Sequence, residues 1–378
     1  MDFLLTEDQE LFRRTVREFA EREIAPVAAE FDEAEAYPAD NVRKMGELGL
    51  MGLTVPQEYG GAGAGAMEYA IAMEEVSRAC AAHSVILTVN VSLVCEPIYK
   101  FGTDEQRSRF LPPLASGQTV GAYCLSEPSS GSDARHMQTR AERDGDHYVL
   151  NGTKNFITNG GVAGVYLVYA ASDPSGGQIC AFLVEADRPG LSPGKKERKL
   201  GIRASTTTQV FLEDCRVPLA NRLGEDGDGF KIAMLTLDGG RIGIAAQAVG
   251  IAQAAYEAAL AYAKERQAFG HPIADFQGLQ WMLADMHVRI EAARLLTYQA
   301  AQFKDRGLPY SKEASMAKLH ASETATWVTT KAIQIHGGYG YMREYAVQRY
   351  FRDAKITEIY EGTSEIQRLV IARHLLRS

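Results

Sequence analysis

Cysteine is scarce in this sequence of 378 residues, and its five copies lie far apart, with no Cys-x-x-Cys pair and no histidine cluster nearby. This spacing argues against a disulfide framework and against a metal site, so we expect reduced, buried thiols and no bound metal. Basic residues are also few relative to acidic ones, since 40 against 48 give a formal net charge of -8. Such a chain offers no general positive field for a phosphate backbone, and we expect no nucleic-acid partner.

Long apolar runs are missing too, because no stretch approaches the roughly 20 residues needed to span a bilayer. The N-terminus meets acidic residues at once and lacks the basic, apolar and cleavable regions of a secretory signal. We therefore expect a cytoplasmic protein with no membrane partner.

The first domain, residues 1–119, has apolar residues at helical spacing and is predicted to be all-α. Thr6 and Thr103 each precede a glutamine by three residues, which is the pattern of a capping box at a helix start. The pair Pro112 and Pro113 is predicted to end the last of these helices.

The middle domain, residues 120–226, consists of short runs with β-strand composition and is predicted to be an antiparallel barrel or sandwich. Asn151-Gly152 has the composition of a primed hairpin turn. No strand alternates with a long helix, which argues against a doubly wound parallel sheet. The predicted strands are residues 121–125, 147–150, 153–158, 165–170, 179–184 and 209–212.

The last domain, residues 227–378, is predicted to be a four-helix bundle, so the fold class is mainly α with a central β domain. Residues 243–252 are rich in small side chains, which permits close helix packing. The predicted helices are residues 230–265, 279–304, 311–335 and 364–376.

Glu361 is the candidate catalytic base, because it stands beside Gly362 where a helical pattern is interrupted and then resumes. A carboxylate on a stiff loop can remove a weakly acidic proton if its pKa is tuned and the substrate is held against it. Glycine at 362 would let a ligand approach the backbone. Taken alone, the same pair of residues is also typical of a solvated turn.

Two segments of the middle domain could bind a polar, flat ring. Residues 123–133 form a strand followed by a loop dense in hydroxyls, without the Gly-x-Gly-x-x-Gly or Gly-Lys-Ser of common nucleotide sites. In residues 155–161, Phe156 and Thr158 offer stacking and hydrogen bonding at a strand end. A turn-rich connection and a core phenylalanine are the alternatives.

Three segments of the last domain carry further candidates. Asp238 and Arg241 share one helix face, as a ligand contact or as a local ion pair. Arg266 ends a helix and could reach a phosphate or complement the helix dipole. Residues 334–340 end another helix in glycines that could admit a pyrophosphate or form a C-cap.

Together and in this order, these segments resemble the acyl-CoA dehydrogenase family over nearly the whole chain. The resemblance implies a homotetramer that binds FAD noncovalently between the β domain and the bundle. It implies FAD contacts from Tyr123, Leu125, Ser126, Gly131, Ser132, Phe156, Ile157, Thr158, Thr363 and Glu365, and, toward a neighbouring subunit's FAD, from Arg266, Phe269, Gln277, Gln334, Ile335, Gly337 and Gly338. It implies acyl-CoA contacts from Ser132, Ser205, Asp238, Arg241 and Gly362.

The family resemblance also implies a mechanism. Glu361 would remove the α-proton of an acyl-CoA thioester while the β-hydrogen leaves as hydride to flavin N5. The thioester carbonyl would accept hydrogen bonds from the Glu361 N–H and the flavin ribityl chain. The product would be a trans-2-enoyl-CoA, and electrons would pass to an electron-transfer flavoprotein.

Residue 240 separates branches of the family, since one branch takes its base from this position and this chain has glycine there. The base is therefore expected at Glu361. Many relatives carry Trp where this chain has Phe156. Residues 237–245 and the C-terminal run around Glu361 are most similar to short-chain, butyryl-type members, which favours short to medium straight acyl chains.

Other functions stay open at this point. A branched short-chain acyl-CoA dehydrogenase of amino-acid catabolism is one alternative, although glycine at residue 240 disfavours isovaleryl-type members. An acyl-CoA oxidase would share fold, FAD and base, but its usual extra C-terminal domain is missing here. A flavin-containing DNA-associated protein of this fold is disfavoured by the acidic composition and by Glu361. A purely structural protein would leave the joint pattern of motifs unexplained.

Overall fold

The computed structural model describes residues 4–173 and 178–377, and its first domain is helical as predicted. The helices are α1 (Glu7–Phe19), α2 (Ala28–Ala34), α3 (Ala39–Glu47), α4 (Ala66–Ala79), α5 (Ala81–Thr88), α6 (Glu96–Phe101) and α7 (Asp104–Ala115). Both capping boxes are confirmed. Thr6 Oγ1 accepts from Gln9 N at 3.2 Å, and Gln9 Oε1 accepts from Thr6 N at 3.1 Å.

The prediction that Pro112 and Pro113 end a helix is wrong, because α7 continues through both to Ala115. The two prolines remove N–H donors only in the last turns, where the unpaired carbonyls of exposed neighbours can bond to water. Phe110, Leu111, Leu114 and Ala115 are buried, and this packing outweighs the local preference.

The segment Ala81–Phe101 runs as α5, a π-helical stretch (Val89–Cys95) and α6. It is 21 residues long and apolar enough to cross a membrane by length and composition, contrary to our expectation that no such run exists. All of its apolar window is buried inside the protein. This helix therefore forms part of the core, and its middle faces the cleft described below.

The middle domain is an eight-stranded sheet with the order β6-β7-β3-β2-β4-β5-β8 and β1 paired to β4. Its strands are β1 (Gly121–Cys124), β2 (Arg140–Asp144), β3 (His147–Thr158), β4 (Val165–Ala171), β5 (Ile179–Glu185), β6 (Leu191–Lys196), β7 (Thr207–Pro218) and β8 (Arg222–Leu223). Most pairs are antiparallel as predicted, but β1 and β2 each pair with β4 in parallel. The β2–β3 hairpin lies between β1 and β4 in sequence and provides the long crossover that parallel strands need.

We predicted a hairpin turn at Asn151-Gly152. This prediction is wrong, because both residues lie inside β3. Gly152 sits at a register shift between β3 and β7 and has a φ of 151°. A Cβ at this position would lie 2.6 Å from Thr139 Oγ1. The glycine is therefore required by the close approach of the chain before β2, a long-range contact that the dipeptide does not reveal.

The last domain contains α8 (Gly229–Glu265), α9 (Gln277–Asp305), α10 (Ser311–His336), α11 (Val347–Ala354) and α12 (Ser364–Arg377), with a two-stranded ribbon of β9 (Gln267–Ala268) and β10 (His271–Pro272). The predicted close packing of residues 243–252 is confirmed. A Cβ on Gly243 would lie 2.1 Å from Tyr69 Oη, and one on Gly250 would lie 2.2 Å from Glu74 O. Small residues on α8 thus let α4 approach its backbone, and α8 spans from the sheet to the core of the bundle.

Candidate active site

The loop between the 3₁₀ turn Lys355–Glu358 and α12 holds Glu361 in an unusual backbone conformation. Glu361 has a φ of 52° and Gly362 a φ of 93°. The left-handed region is unfavourable for a glutamate and persists only where surrounding contacts enforce it. Gln367, on the first turn of α12, supplies such contacts, since its Nε2 donates to Gly362 O at 2.8 Å and to Glu361 O at 3.3 Å.

The Glu361 carboxylate points inward. Its Oε2 atom is buried and has no hydrogen-bond partner among the described residues. Burial raises the pKa of Glu361 to about 7, against the opposing effect of the nearby charges of Lys318 and Arg241. A carboxylate that titrates near neutral pH and keeps a free oxygen is suited to accept a proton from a bound substrate.

Gly240 on α8 lies directly against this carboxylate. A Cβ added to Gly240 would be 2.0 Å from Glu361 Oε2 and 2.9 Å from Leu93 Cδ2. Residues 240 and 361 are therefore neighbours in the folded protein, although they are far apart in sequence. Only glycine at position 240 leaves the observed room for the Glu361 side chain.

A cavity of about 200 Å³ opens in front of Glu361 and is walled by all three domains. The middle domain supplies one wall, α8 and the Glu361 loop a second, and α5 with the π-helical stretch a third, apolar one. The lining residues include Tyr123, Leu125, Ser126, Gly131, Ser132, Phe156, Ile157, Thr158, Arg241, Glu361 and Gly362 from the sequence predictions, with Val85, Val89 and Leu93 on the apolar wall. The structure therefore assembles in one cleft residues that are up to 281 positions apart in sequence, from Val85 to Ile366.

A buried ion pair fixes the middle-domain wall of this cleft. Lys154 Nζ donates to Glu127 Oε1 at 2.8 Å and to Leu125 O at 3.2 Å, and the Lys154 side chain is fully buried. Two residues later, Phe156 has a φ of 57° and is 69% exposed, so it stands at the cleft mouth rather than in the sheet core. The alternative interpretation of Phe156 as a core residue is therefore wrong.

We expect Lys154→Met to lower the free energy of unfolding by about 3 kcal/mol or more, because it leaves the Glu127 carboxylate buried without its counter-ion. Denaturant unfolding followed by circular dichroism measures the change. Arg216→Met is the matched control, since it removes one partner of an ion pair whose side chains are 54% and 61% exposed. That variant should lose less than about 1 kcal/mol, and equal losses in the two variants would contradict the prediction.

Asp238 and Arg241 form the local ion pair that was one of the two predictions from their spacing on one helix face. Arg241 Nη1 donates to Asp238 Oδ1 at 2.5 Å. Ser311 Oγ on α10 also donates to Asp238 Oδ1, at 2.9 Å. Arg241 is only 5% exposed, and it borders both the Glu361 cleft and a second cleft that Asp238, Ser311 and residues of α12 line. The ion pair and a ligand contact are thus compatible, because the pair holds the guanidinium at the junction of two clefts.

The family models for acyl-CoA dehydrogenase domains match nearly the whole chain. The N-terminal domain model matches residues 6–118, the middle domain model residues 122–215, and the C-terminal domain model residues 227–376. The short-chain specific acyl-CoA dehydrogenase of Clostridium acetobutylicum is 55% identical over 379 residues, covering 100% of both chains. The chain belongs to the acyl-CoA dehydrogenase family.

Solved structures of other acyl-CoA dehydrogenases and related proteins share the fold. Butyryl-CoA dehydrogenase from Megasphaera elsdenii has a TM-score of 0.98 at 47% identity, covering 100% of both chains. A chain of the structure described as the electron transferring flavoprotein of Acidaminococcus fermentans has a TM-score of 0.98 at 51% identity, again covering 100% of both. An acyl-CoA dehydrogenase from Bacillus anthracis complexed with FAD has a TM-score of 0.94 at 36% identity, over 99% of this chain and 67% of that one. A flavin is the cofactor class that the family match supports.

The cleft of this acyl-CoA dehydrogenase is compatible with a flat cofactor ring. Gly131 has no atom within 4 Å of where a Cβ would stand, so the hydroxyl-rich loop leaves open space at this point. Phe156 lies exposed at the mouth, and Thr158 lines the same wall. Of the two positions that the family resemblance offers for a base, only residue 361 carries a carboxylate, since residue 240 is glycine.

Several predicted cofactor residues lie away from the Glu361 cleft. Arg266, Ile335, Gly337 and Gly338 line a separate cleft, in which the Arg266 guanidinium lies 5.5 Å from the centroid of the Tyr339 ring. Phe269 is 93% exposed. Gln277 begins α9 and Gln334 lies in the last turn of α10.

Three further predicted contacts are outside the cleft lining. Ser205 is buried, and its Oγ donates to Ile202 O at 2.8 Å. This hydroxyl therefore forms its hydrogen bond within its own turn. Thr363 Oγ1 accepts from Ile366 N at 3.4 Å and caps the start of α12, where Glu365 follows. The single chain thus brings Ser132, Arg241 and Gly362 to Glu361, but not Ser205.

Sequence reasoning missed four residues that hold the site together. These are Lys154, Gln247, Lys318 and Gln367. Tyr360 Oη donates to Gln247 Oε1 on α8, which ties the Glu361 loop to the helix that carries Gly240. A lysine or glutamine at a buried position of a helix or strand is the signal that could have indicated them.

Proposed function

We propose that this protein is an FAD-dependent short-chain acyl-CoA dehydrogenase that converts a short, straight acyl-CoA to its trans-2-enoyl-CoA. The observation that carries the proposal is Glu361, whose unpartnered carboxylate oxygen faces a cleft between an apolar wall and a polar loop. The names of the relatives support the substrate class.

Glu361 acts as the base that removes the α-proton of the thioester. Its pKa of about 7 matches the pH at which such a base is most effective. Among the described residues the Glu361 N–H has no hydrogen-bond partner either, which leaves it able to donate to the thioester carbonyl and stabilise the developing enolate.

FAD, when bound, supplies the acceptor for the β-hydrogen as hydride. Ser126 and Thr158 would hydrogen-bond its ring, and Tyr123, Leu125 and Phe156 would contact the ring's faces or edge. Arg266 and residues 335–338 would contact the FAD of a neighbouring subunit in a homotetramer, because they line a cleft of their own with an exposed guanidinium. Thr363 and Glu365 would reach the cofactor from the start of α12.

The acyl chain lies against Val85, Val89 and Leu93, which form the apolar wall of the cleft. Ser132, Arg241 and Gly362 contact the thioester and the adjoining pantetheine. Asp238 acts through Arg241, which it holds by the ion pair. The Ser205 hydroxyl is buried, donates to Ile202 O and does not line this cleft.

An electron-transfer flavoprotein is the proposed electron acceptor, and the structural likeness to the Acidaminococcus fermentans chain supports it. The exposed Phe156 marks the mouth through which electrons would leave. We place the enzyme in the cytoplasm, because its five cysteines are buried and unpaired, as suits a reducing compartment.

Anaerobic titration with butyryl-, octanoyl-, isobutyryl- and isovaleryl-CoA tests the substrate class. We expect butyryl-CoA to bleach the flavin absorbance fastest. The rate of bleaching should rise with pH through about 7, since Glu361 must lose its proton to act as a base and burial has raised its pKa to about that value. Fastest bleaching by isobutyryl- or isovaleryl-CoA would instead indicate the branched-chain class, and rapid peroxide formation in air would indicate an oxidase.

A further inference from the structure

Lys318 on α10 is a lysine with no access to solvent. Its Nζ atom donates to the carbonyl oxygen of Gly362 at 2.6 Å, 44 residues further along the chain. Burying an ammonium group is costly unless hydrogen bonds and charges compensate it. Its acceptor, Gly362, is the neighbour of Glu361, so this buried lysine calls for a reason beyond packing.

Two side chains hold the carbonyls of the left-handed loop. Gly362 O accepts from Lys318 Nζ and also from Gln367 Nε2 at 2.8 Å, and Gln367 Nε2 lies 3.3 Å from Glu361 O. Both donors come from helices that pack on the loop, α10 and α12. They fix the backbone orientation that turns the Glu361 side chain toward Gly240 and the cleft.

The charges around Glu361 come from two helices. Arg241 faces it from α8, but Arg241 is already paired with Asp238. Lys318 faces it from α10 and forms no direct ion pair among the described residues. The other ionisable groups near the pair are the phenols of Tyr69, Tyr123 and Tyr360 and the carboxylates of Glu358 and Glu365.

Burial lowers the pKa of Lys318 to about 8, while the charge of Glu361 opposes that shift. The pKa of Lys318 lies above that of Glu361, so the ammonium group is mainly charged while Glu361 begins to ionise. The positive charge acts on Glu361 in the opposite direction to burial and favours the ionised carboxylate.

We propose that Lys318 is a positioning residue of the dehydrogenation reaction, which fixes the Glu361–Gly362 loop through the Gly362 carbonyl and sets a positive charge beside the Glu361 carboxylate. The inference rests on the proposed function, since it assigns Lys318 a role through the proposed base. Glu361 alone contacts the reacting proton.

The test compares Lys318→Met, which removes donor and charge, with Lys318→Gln, which keeps a donor but no charge. Lys331→Met is the matched control, because Lys331 lies on the same helix over the Trp327 ring, 5.4 Å from its centroid. The first readout is the infrared band of the Glu361 carboxyl in the FAD-loaded enzyme, assigned by subtracting the spectrum of Glu361→Gln and followed from pH 5 to about pH 10. The second readout is the rate of flavin bleaching by butyryl-CoA over the same range.

In Lys318→Met we expect the carboxyl titration to move up by about one pH unit, and the bleaching rate at pH 7 to fall about tenfold or more. In Lys318→Gln the titration should move similarly, while the rate at high pH should return close to that of the wild type. Lys331→Met should match the wild type in both readouts. A purely structural Lys318 would change stability without moving the titration.

A carboxyl titration that stays in place in Lys318→Met overturns the proposal. If Lys318→Met does not fold, the same titration in Lys318→Gln decides, and an unmoved band there overturns it equally. The infrared readout needs no substrate, so it separates this inference from the proposed function: a wild type that no acyl-CoA bleaches refutes the function, whereas an unmoved titration refutes only the role of Lys318.

Discussion

Glu361→Gln should abolish nearly all flavin bleaching by butyryl-CoA, with a loss of about 10²- to 10⁴-fold in rate, while FAD and acyl-CoA still bind. Glutamine has the shape of glutamate, so it fits beside Gly240 without a new contact. Because Glu361 Oε2 has no hydrogen-bond partner among the described residues, the change breaks no bond that the folded chain makes with this atom. Only the proton acceptor is lost.

Anaerobic stopped-flow absorbance measures the rate, and equilibrium titration at low conversion measures acyl-CoA binding. Glu323→Gln is the control, since this carboxylate on α10 is 46% exposed, pairs with Arg368 and lies outside the lining of the cleft. Its rate should stay within a few-fold of the wild type. Undiminished bleaching by Glu361→Gln would refute the base assignment.

The same variant should change how stability depends on pH. The pKa of Glu361 is raised from 4.5 to about 7 in the folded protein, so the folded state binds this proton more tightly than the unfolded state does. The resulting contribution to stability is complete below about pH 4.5 and is lost as the pH rises through 7. Glutamine cannot titrate, and Glu361→Gln should lack this decline.

The sequence predicts what depends on short-range pattern. The capping boxes at Thr6 and Thr103 need only a residue and its neighbour three positions later, and both are present. The long helices of the last domain follow from periodicity within one segment. That residues 240 and 361 are the two alternative positions for the base could be predicted only from the family resemblance, not from a local pattern.

The remaining features depend on contacts that no local pattern reveals. Gly152 is required by Thr139 across the sheet, and Pro112 is tolerated because its neighbours are buried. Lys154 and Lys318 bond to partners 27 and 44 residues away in sequence. Each is a polar residue whose partner is chosen by the fold, so its role emerges only once the domains are packed.

Gly240→Ala should cost nearly as much activity as the loss of a well-placed base, although it adds a single methyl group. The new Cβ would lie 2.0 Å from Glu361 Oε2, well inside contact distance, and Leu93 Cδ2 at 2.9 Å closes the other side. The carboxylate must therefore move by about 1 Å or more, and misplacement of that size costs about 10²-fold in rate. Stopped-flow bleaching by butyryl-CoA measures the loss.

Stability distinguishes this steric effect from a folding defect. In an exposed helix, Gly→Ala stabilises by up to about 1 kcal/mol, and Gly278→Ala near the start of α9 should show this gain, because no atom lies within 4 Å of its Cβ position. Gly240→Ala should show a smaller gain or a loss, yet retain its flavin. If Gly240→Ala bleached at the wild-type rate, the Glu361 carboxylate would have another position from which it can act. The close packing of residues 240 and 361 would then not be what positions the base.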